Sequence, residues 1–251
     1  MLQLTTKQMD ALRAGAATRF ERGIRDFIAL HLSDYVDDLA PPELALFTRQ
    51  VIASARDFGF SIDADIMGFA IPCAIYGAWS WQDPIFADIY VGRLDWCPGG
   101  RRRTADGIAE ALRRVLDLEF AQVFGVDLMI QLGEVFRDGW DRPWIAGIRR
   151  PESLPELCAA VFPARLNRLR PGDLDAHLRL SETVARRFDL QSEQAILFYQ
   201  QVGLFLGARF GEDPLYPWAG VALAGGASEL QRMRRLETAL RAMIERATAD
   251  G

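Results

Sequence analysis

The sequence predicts an all-α protein, either a compact helical bundle or a short irregular solenoid of two to three diverged helical repeat units. Three observations predict it. Apolar residues recur at spacings of three and four, residues that start and stop helices are frequent, and the chain resembles itself when slid by 130 positions. No convincing run of alternating β-branched residues points to a strand.

The first helix is predicted from Met9, Leu12, Ala16, Phe20, Ile24, Phe27 and Ile28, which share one face over about seven turns. Pro41-Pro42 opens a second helix at Pro42 to Phe58, where Gly59 suits the C-terminal cap. Ser61 is placed to cap the next helix, which runs into the apolar stretch Ile66 to Trp81 and carries Pro72. Thr104 is placed to cap a helix running toward Leu116, and Ser153-Leu-Pro-Glu156 has capping-box spacing. Near the end, Leu230, Met233, Leu236, Leu240, Met243 and Ile244 repeat the helical period, with Ser228 as N-cap after the Gly225-Gly226 break.

The self-similarity is specific. Residues 55–89 fall on 185–219 without a gap, with 8 identities in 35 positions. Gly77 meets Gly207, and Asp83-Pro84 meets Asp213-Pro214. A slide of 74 adds a partial third copy, in which Gly133, Phe136, Pro143 and Trp144 match Gly207, Phe210, Pro217 and Trp218. One unit reads as helix, tight turn, apolar helix, glycine, short loop and proline-started helix. The glycine allows close backbone approach or a left-handed turn, the aspartate caps the next helix, and the proline takes its first position. The chain divides accordingly into an N-terminal unit at 1–100, a partial middle unit at 101–150 and a C-terminal unit at 151–251.

With 251 residues and 50% hydrophobic content the chain is long enough to bury a substantial core, and 25% charged residues is ordinary for a globular protein. Net charge is −5, against nucleic-acid binding. Residues 1–100 hold 8 bases and 13 acids, whereas 101–251 hold 21 of each, so the acidic excess is N-terminal. The N-terminus shows no signal peptide and no stretch suits a bilayer span, so the expected setting is the cytoplasm, without membrane association.

Little catalytic chemistry is visible. The cysteines, Cys73, Cys97 and Cys158, form no CxxC, and the histidines, His31 and His177, sit in no metal-binding motif, so no metal or cofactor is expected. No Gly-x-Ser-x-Gly elbow occurs. The carboxylate pairs Asp63/Asp65, Asp138/Asp141 and Glu212/Asp213 lie at helix starts or loops, where capping explains them. Gly99-Gly-Arg-Arg-Arg-Thr104 holds glycines, bases and a helix start but matches no phosphate-loop pattern; a solvated linker and an anion site both remain open.

Residues shared between units serve the fold, so large apolar residues peculiar to one unit need another reason. Trp79, Trp81, Trp96 and Trp140 have no tryptophan counterpart in the other units. They are either interface anchors, joined by Arg101, Arg102 and Arg103, or fillers of local gaps in the core.

The C-terminal unit carries Gly207-Ala-Arg-Phe210, Asp213-Pro-Leu-Tyr-Pro-Trp218-Ala219 and then Arg232-Met-Arg-Arg-Leu236. This G-x-x-F, D-P-x-x-P-W-A, R-M-x-x-L succession resembles short helical proteins encoded beside effector genes in bacterial type VI secretion islands. Gln8-Met9-Asp10-Ala11-Leu12 and Phe20 are similar to that group's opening helix. The resemblance covers residues 1–90 loosely and 180–247 better. The first unit departs from it at Ala87-Asp88, which stand where Pro-Trp would be. It implies a non-enzymatic partner of another bacterial protein. That role is an adaptor or chaperone of an effector, or an immunity protein against a toxin; a binder of a small anion is the third expectation.

Overall fold

The computed structural model describes residues 5–90 apart from 88, residue 167, and residues 169–249 apart from 227. All regular structure among the described residues is helical. The elements are α1 (Thr6–His31), α2 (Ser33–Val36), α3 (Pro41–Phe58), α4 (Asp63–Tyr76), α5 (Asp173–Arg187), α6 (Glu193–Leu206), α7 (Pro217–Leu223) and α8 (Glu229–Ala249). Short 3₁₀ turns at Ser80–Gln82, Pro84–Phe86 and Phe210–Glu212 complete it.

Local chemistry sets most boundaries. Thr5 and Gln8 cap α1 reciprocally, each side chain accepting from the other residue's backbone N–H. At α3, proline fills the first turn and Glu43 Oε2 accepts from the Ala40 N–H at 2.8 Å. Gly59 ends the helix in the left-handed region at φ 112°. Ser228 caps α8 by accepting from the Gln231 N–H at 3.3 Å, while the Gln231 side chain accepts from the Ser228 N–H. Ser61, by contrast, is not the cap of α4. The helix starts at Asp63, its N-cap is Ile62, and no side chain caps it. In the second unit the position equivalent to Ile62 is Ser192, whose hydroxyl accepts from the Ala195 N–H.

The repeat is realised residue for residue. Helices α4 and α6 have bounds that differ by 130 at both ends, and so do the turns Ser80–Gln82 and Phe210–Glu212. The glycines that end α4 and α6 share one conformation, Gly77 at φ 96°, ψ 153° and Gly207 at φ 91°, ψ 153°. In each unit the first helix packs on the second, α3 on α4 and α5 on α6. Helix α1 lies across α3 and α4, α8 lies along α7, and α5 also meets the Pro84–Phe86 turn of the first unit.

A single core runs through both units, with Phe47, Phe58, Phe69, Phe86, Phe198 and Phe205 fully or almost fully buried. Each such side chain contributes roughly 1.5–3 kcal/mol by leaving water. Cys73 lies in this core, and burial, followed by the nearby Asp213 charge, pushes its thiol well above the ordinary range. No single helix among the described residues is long and apolar enough to cross a membrane, and the apolar pair α3–α4 bends by 115° to pack into the core.

The face of α1 behaves differently from its period. Ile24 and Ile28 are buried, but Met9 and Leu12 are exposed, so only the C-terminal half of α1 is held by the bundle. The middle-unit residues Gly133, Pro143 and Trp144, the caps Thr104 and Ser153, and Cys97, Trp96, Trp140 and Arg101 to Arg103 lie outside the described residues.

Candidate functional site

The two units meet through a reciprocal carboxylate clasp. Asp83 begins the Pro84–Phe86 turn and its Oδ1 accepts from the Ile85 N–H at 3.1 Å, which is the local capping role of an Asp-Pro pair. Its Oδ2 crosses to the other unit and accepts from the Ala208 N–H at 2.7 Å. Asp213 does the same in reverse. Oδ1 accepts from the Leu215 N–H at 2.9 Å, and Oδ2 accepts from the Trp79 N–H at 3.3 Å. Each aspartate thus caps its own turn and holds the Gly-Ala loop of its counterpart, the reciprocity of a two-fold interface built within one chain.

The glycines make the crossing possible. A Cβ on Gly77 would stand 2.6 Å from Asp213 Oδ2, and one on Gly207 would stand 3.6 Å from Asp83 Oδ2 and 3.3 Å from the Phe86 ring. Both residues also hold positive φ, where side chains are disfavoured.

At the aspartates the symmetry is broken by a histidine. His177 on α5, fully buried, places Nδ1 2.7 Å from Asp83 Oδ1. A carboxylate oxygen only accepts, so Nδ1 carries the proton there. Nε2 then faces the hydroxyl of Ser181, one turn on, at 3.5 Å. Sliding by 130 puts Phe47 where His177 stands, so the shift that relates the two units gives Asp213 no histidine. Asp213 consequently behaves as a buried acid: burial raises its carboxyl to about 7, against the backbone N–H groups of Leu215, Trp79 and Ala78 and the Arg209 charge. Its folded value lies above the ordinary 3.8, so its contribution to stability is complete below about pH 4 and is lost as pH rises through about 7. Urea denaturation at pH 5 and pH 8 is expected to show the protein more stable at the lower value, with Asp213→Asn flattening that difference.

Ser181, His177 and Asp83 stand in the order of a nucleophile, base and orienting acid. All three are buried; a separate cavity of about 10 Å³ lies where the two Gly-Ala loops and the two aspartates meet. The His177–Asp83 bond joins α5 of the second unit to the Pro84–Phe86 turn of the first. No group of three or more histidine, cysteine or acidic residues among the described residues is arranged to hold a metal.

Two of the four tryptophans singled out in the sequence are described. Trp79 is half-buried beneath the Arg209 guanidinium, 3.9 Å from its ring centroid. These are equivalent positions of the two units, brought together by the two-fold arrangement. Arg209 also donates to Gln82 Oε1 at 2.6 Å and to Glu212 Oε2 at 2.7 Å, again an equivalent pair. Trp81 packs edge-on against Phe58 at 5.6 Å. Trp79 thus packs at the junction and Trp81 against the core, and the indole N–H of each is buried without a hydrogen-bond partner among the described residues.

Exposed apolar side chains among the described residues include Leu12, Leu30, Leu46 and Val221, and the clasp positions the last of these. Asp213 fixes Leu215, the Tyr216 N–H bonds the Asp213 carbonyl, and Pro217 then begins α7. Val221 projects from α7, 73% exposed, beside Trp218, which is half-buried against the core. On one side is a groove of about 470 Å³ lined by Tyr35, Leu39, Leu206 and Met243, with Asp38, Glu43 and Arg246 at its rim. On the other is a broad, shallow groove of about 510 Å³ between α7 and α8, lined by Thr238, Ala239, Ala242, Arg234 and Arg235. No sequence signal places these grooves: Trp218 is legible as a repeat residue, but Val221 carries no mark.

Fold and site together define an all-α protein in which the described residues form two related units locked by crossed aspartates, with Val221 exposed between two grooves. No family model, curated protein or solved structure matches the chain.

Proposed function

We propose that this chain is a non-enzymatic, protein-binding accessory protein, acting in the cytoplasm as adaptor or chaperone for a secreted bacterial effector. The observation that carries the reading is the exposed Val221 beside the half-buried Trp218, between two grooves lined largely by apolar side chains. Exposed apolar surface concentrated in one place marks an interaction site, and tryptophan beside arginine is the composition of interface anchors. The resemblance to proteins encoded beside type VI effector genes supports the same reading and supplies its setting.

Co-expression with each adjacent open reading frame, followed by pull-down and a growth assay, tests it. A complex that solubilises the neighbour, or is needed for its export, is the expected result. A complex that rescues growth from a toxic neighbour makes the protein an immunity protein instead. Failure to co-purify with any neighbouring product overturns the protein-binding role.

A further inference from the structure

We infer that the groove between α7 and α8 receives an acidic amphipathic helix of the partner protein, an inference that rests on the protein-binding role proposed above. The two grooves beside Trp218 differ in charge. The one toward α2 and α3 presents Asp38 and Glu43 opposite Arg246, and Arg246 already lies 3.9 Å from Asp38. Its charges answer one another within the chain.

The α7–α8 groove is lined by two guanidinium groups and no carboxylate. Arg235 spends one N–H on the Ala224 carbonyl at 2.9 Å, and the Arg234 side chain has no ion pair with a described residue. The arginines paired along α8, Arg232 with Asp189 and Arg241 with Glu237, point to other partners. No acid among the described lining residues answers these arginines beside the apolar wall, which makes the groove the complement of an apolar face flanked by acids.

The shape suits a helix. Arg234 to Ala242 covers nine residues, a rise of about 12 Å, or roughly two turns of a helix laid alongside. Alanine and threonine side chains in the floor leave room for interaxial distances of about 8–10 Å. Val221 then stands as the central apolar contact and Arg234 as the charge that selects orientation.

The test uses the full chain and fluorescence anisotropy with designed peptides of about 18 residues, long enough to hold a helix. One peptide carries a leucine and alanine face flanked by glutamates; the other has lysines at the glutamate positions. The glutamate peptide is expected to bind at least ~10-fold more tightly, with the difference shrinking in high salt. Arg234→Glu is expected to reverse the preference, and Val221→Asp to weaken the glutamate peptide at least ~10-fold. Both side chains are exposed, so neither variant should shift Tm. Equal binding of the two peptides, or glutamate-peptide binding indifferent to both substitutions, overturns the inference. A neighbouring gene product that co-purifies unchanged with both variants, while the glutamate peptide fails to dock, removes the groove assignment and leaves the accessory role standing. A groove that behaves as expected while no neighbour co-purifies has the opposite consequence.

Discussion

Gly77→Ala is expected to destabilise the protein by about 3–5 kcal/mol, among the largest effects of any single methyl addition to this chain. Two separate costs combine. Alanine at φ 96° is strained by about 1–3 kcal/mol whatever its surroundings. The new Cβ would also stand 2.6 Å from Asp213 Oδ2, on a carboxyl group held by the Trp79 and Leu215 N–H groups and so unable to swing away without breaking those bonds. Gly207→Ala is the internal control. Its φ is 91° but its nearest neighbours stand at 3.3 and 3.6 Å, so only the conformational cost and slight crowding remain. Urea midpoints of the two variants, read with their m-values, separate the two costs. If Gly77→Ala is no worse than Gly207→Ala, Asp213 does not hold this close crossing.

The contrast between these glycines shows where sequence reasoning carries and where it stops. Helices α1, α3 and α8 are legible because apolar periodicity and caps act within a few residues. The recurrence of Gly77 and Asp83-Pro84 as Gly207 and Asp213-Pro214 reveals the repeat, and the local job of each aspartate as a cap is legible with it. Its second oxygen is not, because it bonds a partner 125 or 134 residues away. His177 is unreadable for the same reason, lying 94 residues from Asp83. Trp79 is within reach of sequence reasoning. Once two units are taken to pack about a two-fold axis, equivalent positions meet near that axis, and Trp79 and Arg209 are equivalent. Leu12 illustrates the opposite limit: period 3.6 marks an apolar face, but it does not say what covers that face.

Asp83→Ala is the second large effect, expected to cost about 3–5 kcal/mol, as for other buried pairs that lose one partner. The substitution orphans the buried Ala208 N–H, the Ile85 N–H and the His177 Nδ1–H together, and none of them has access to water. Asp213→Ala removes a comparable set of backbone bonds, but it also relieves the cost of burying a carboxyl that no histidine answers, so its penalty near neutral pH is expected to be smaller. Asp83 should therefore matter more than Asp213 although the two occupy equivalent places. His177 is the buried side chain that bonds Asp83 and has no counterpart at Asp213, and His177→Phe, which installs the side chain found at the equivalent Phe47, tests its part in the asymmetry. In a double-mutant cycle, Asp83→Ala combined with His177→Phe is expected to cost less than the sum of the two alone, by roughly 1–3 kcal/mol. Strict additivity would mean that the histidine stabilises α5 by packing alone, and that the lock between the units consists of the backbone bonds without it.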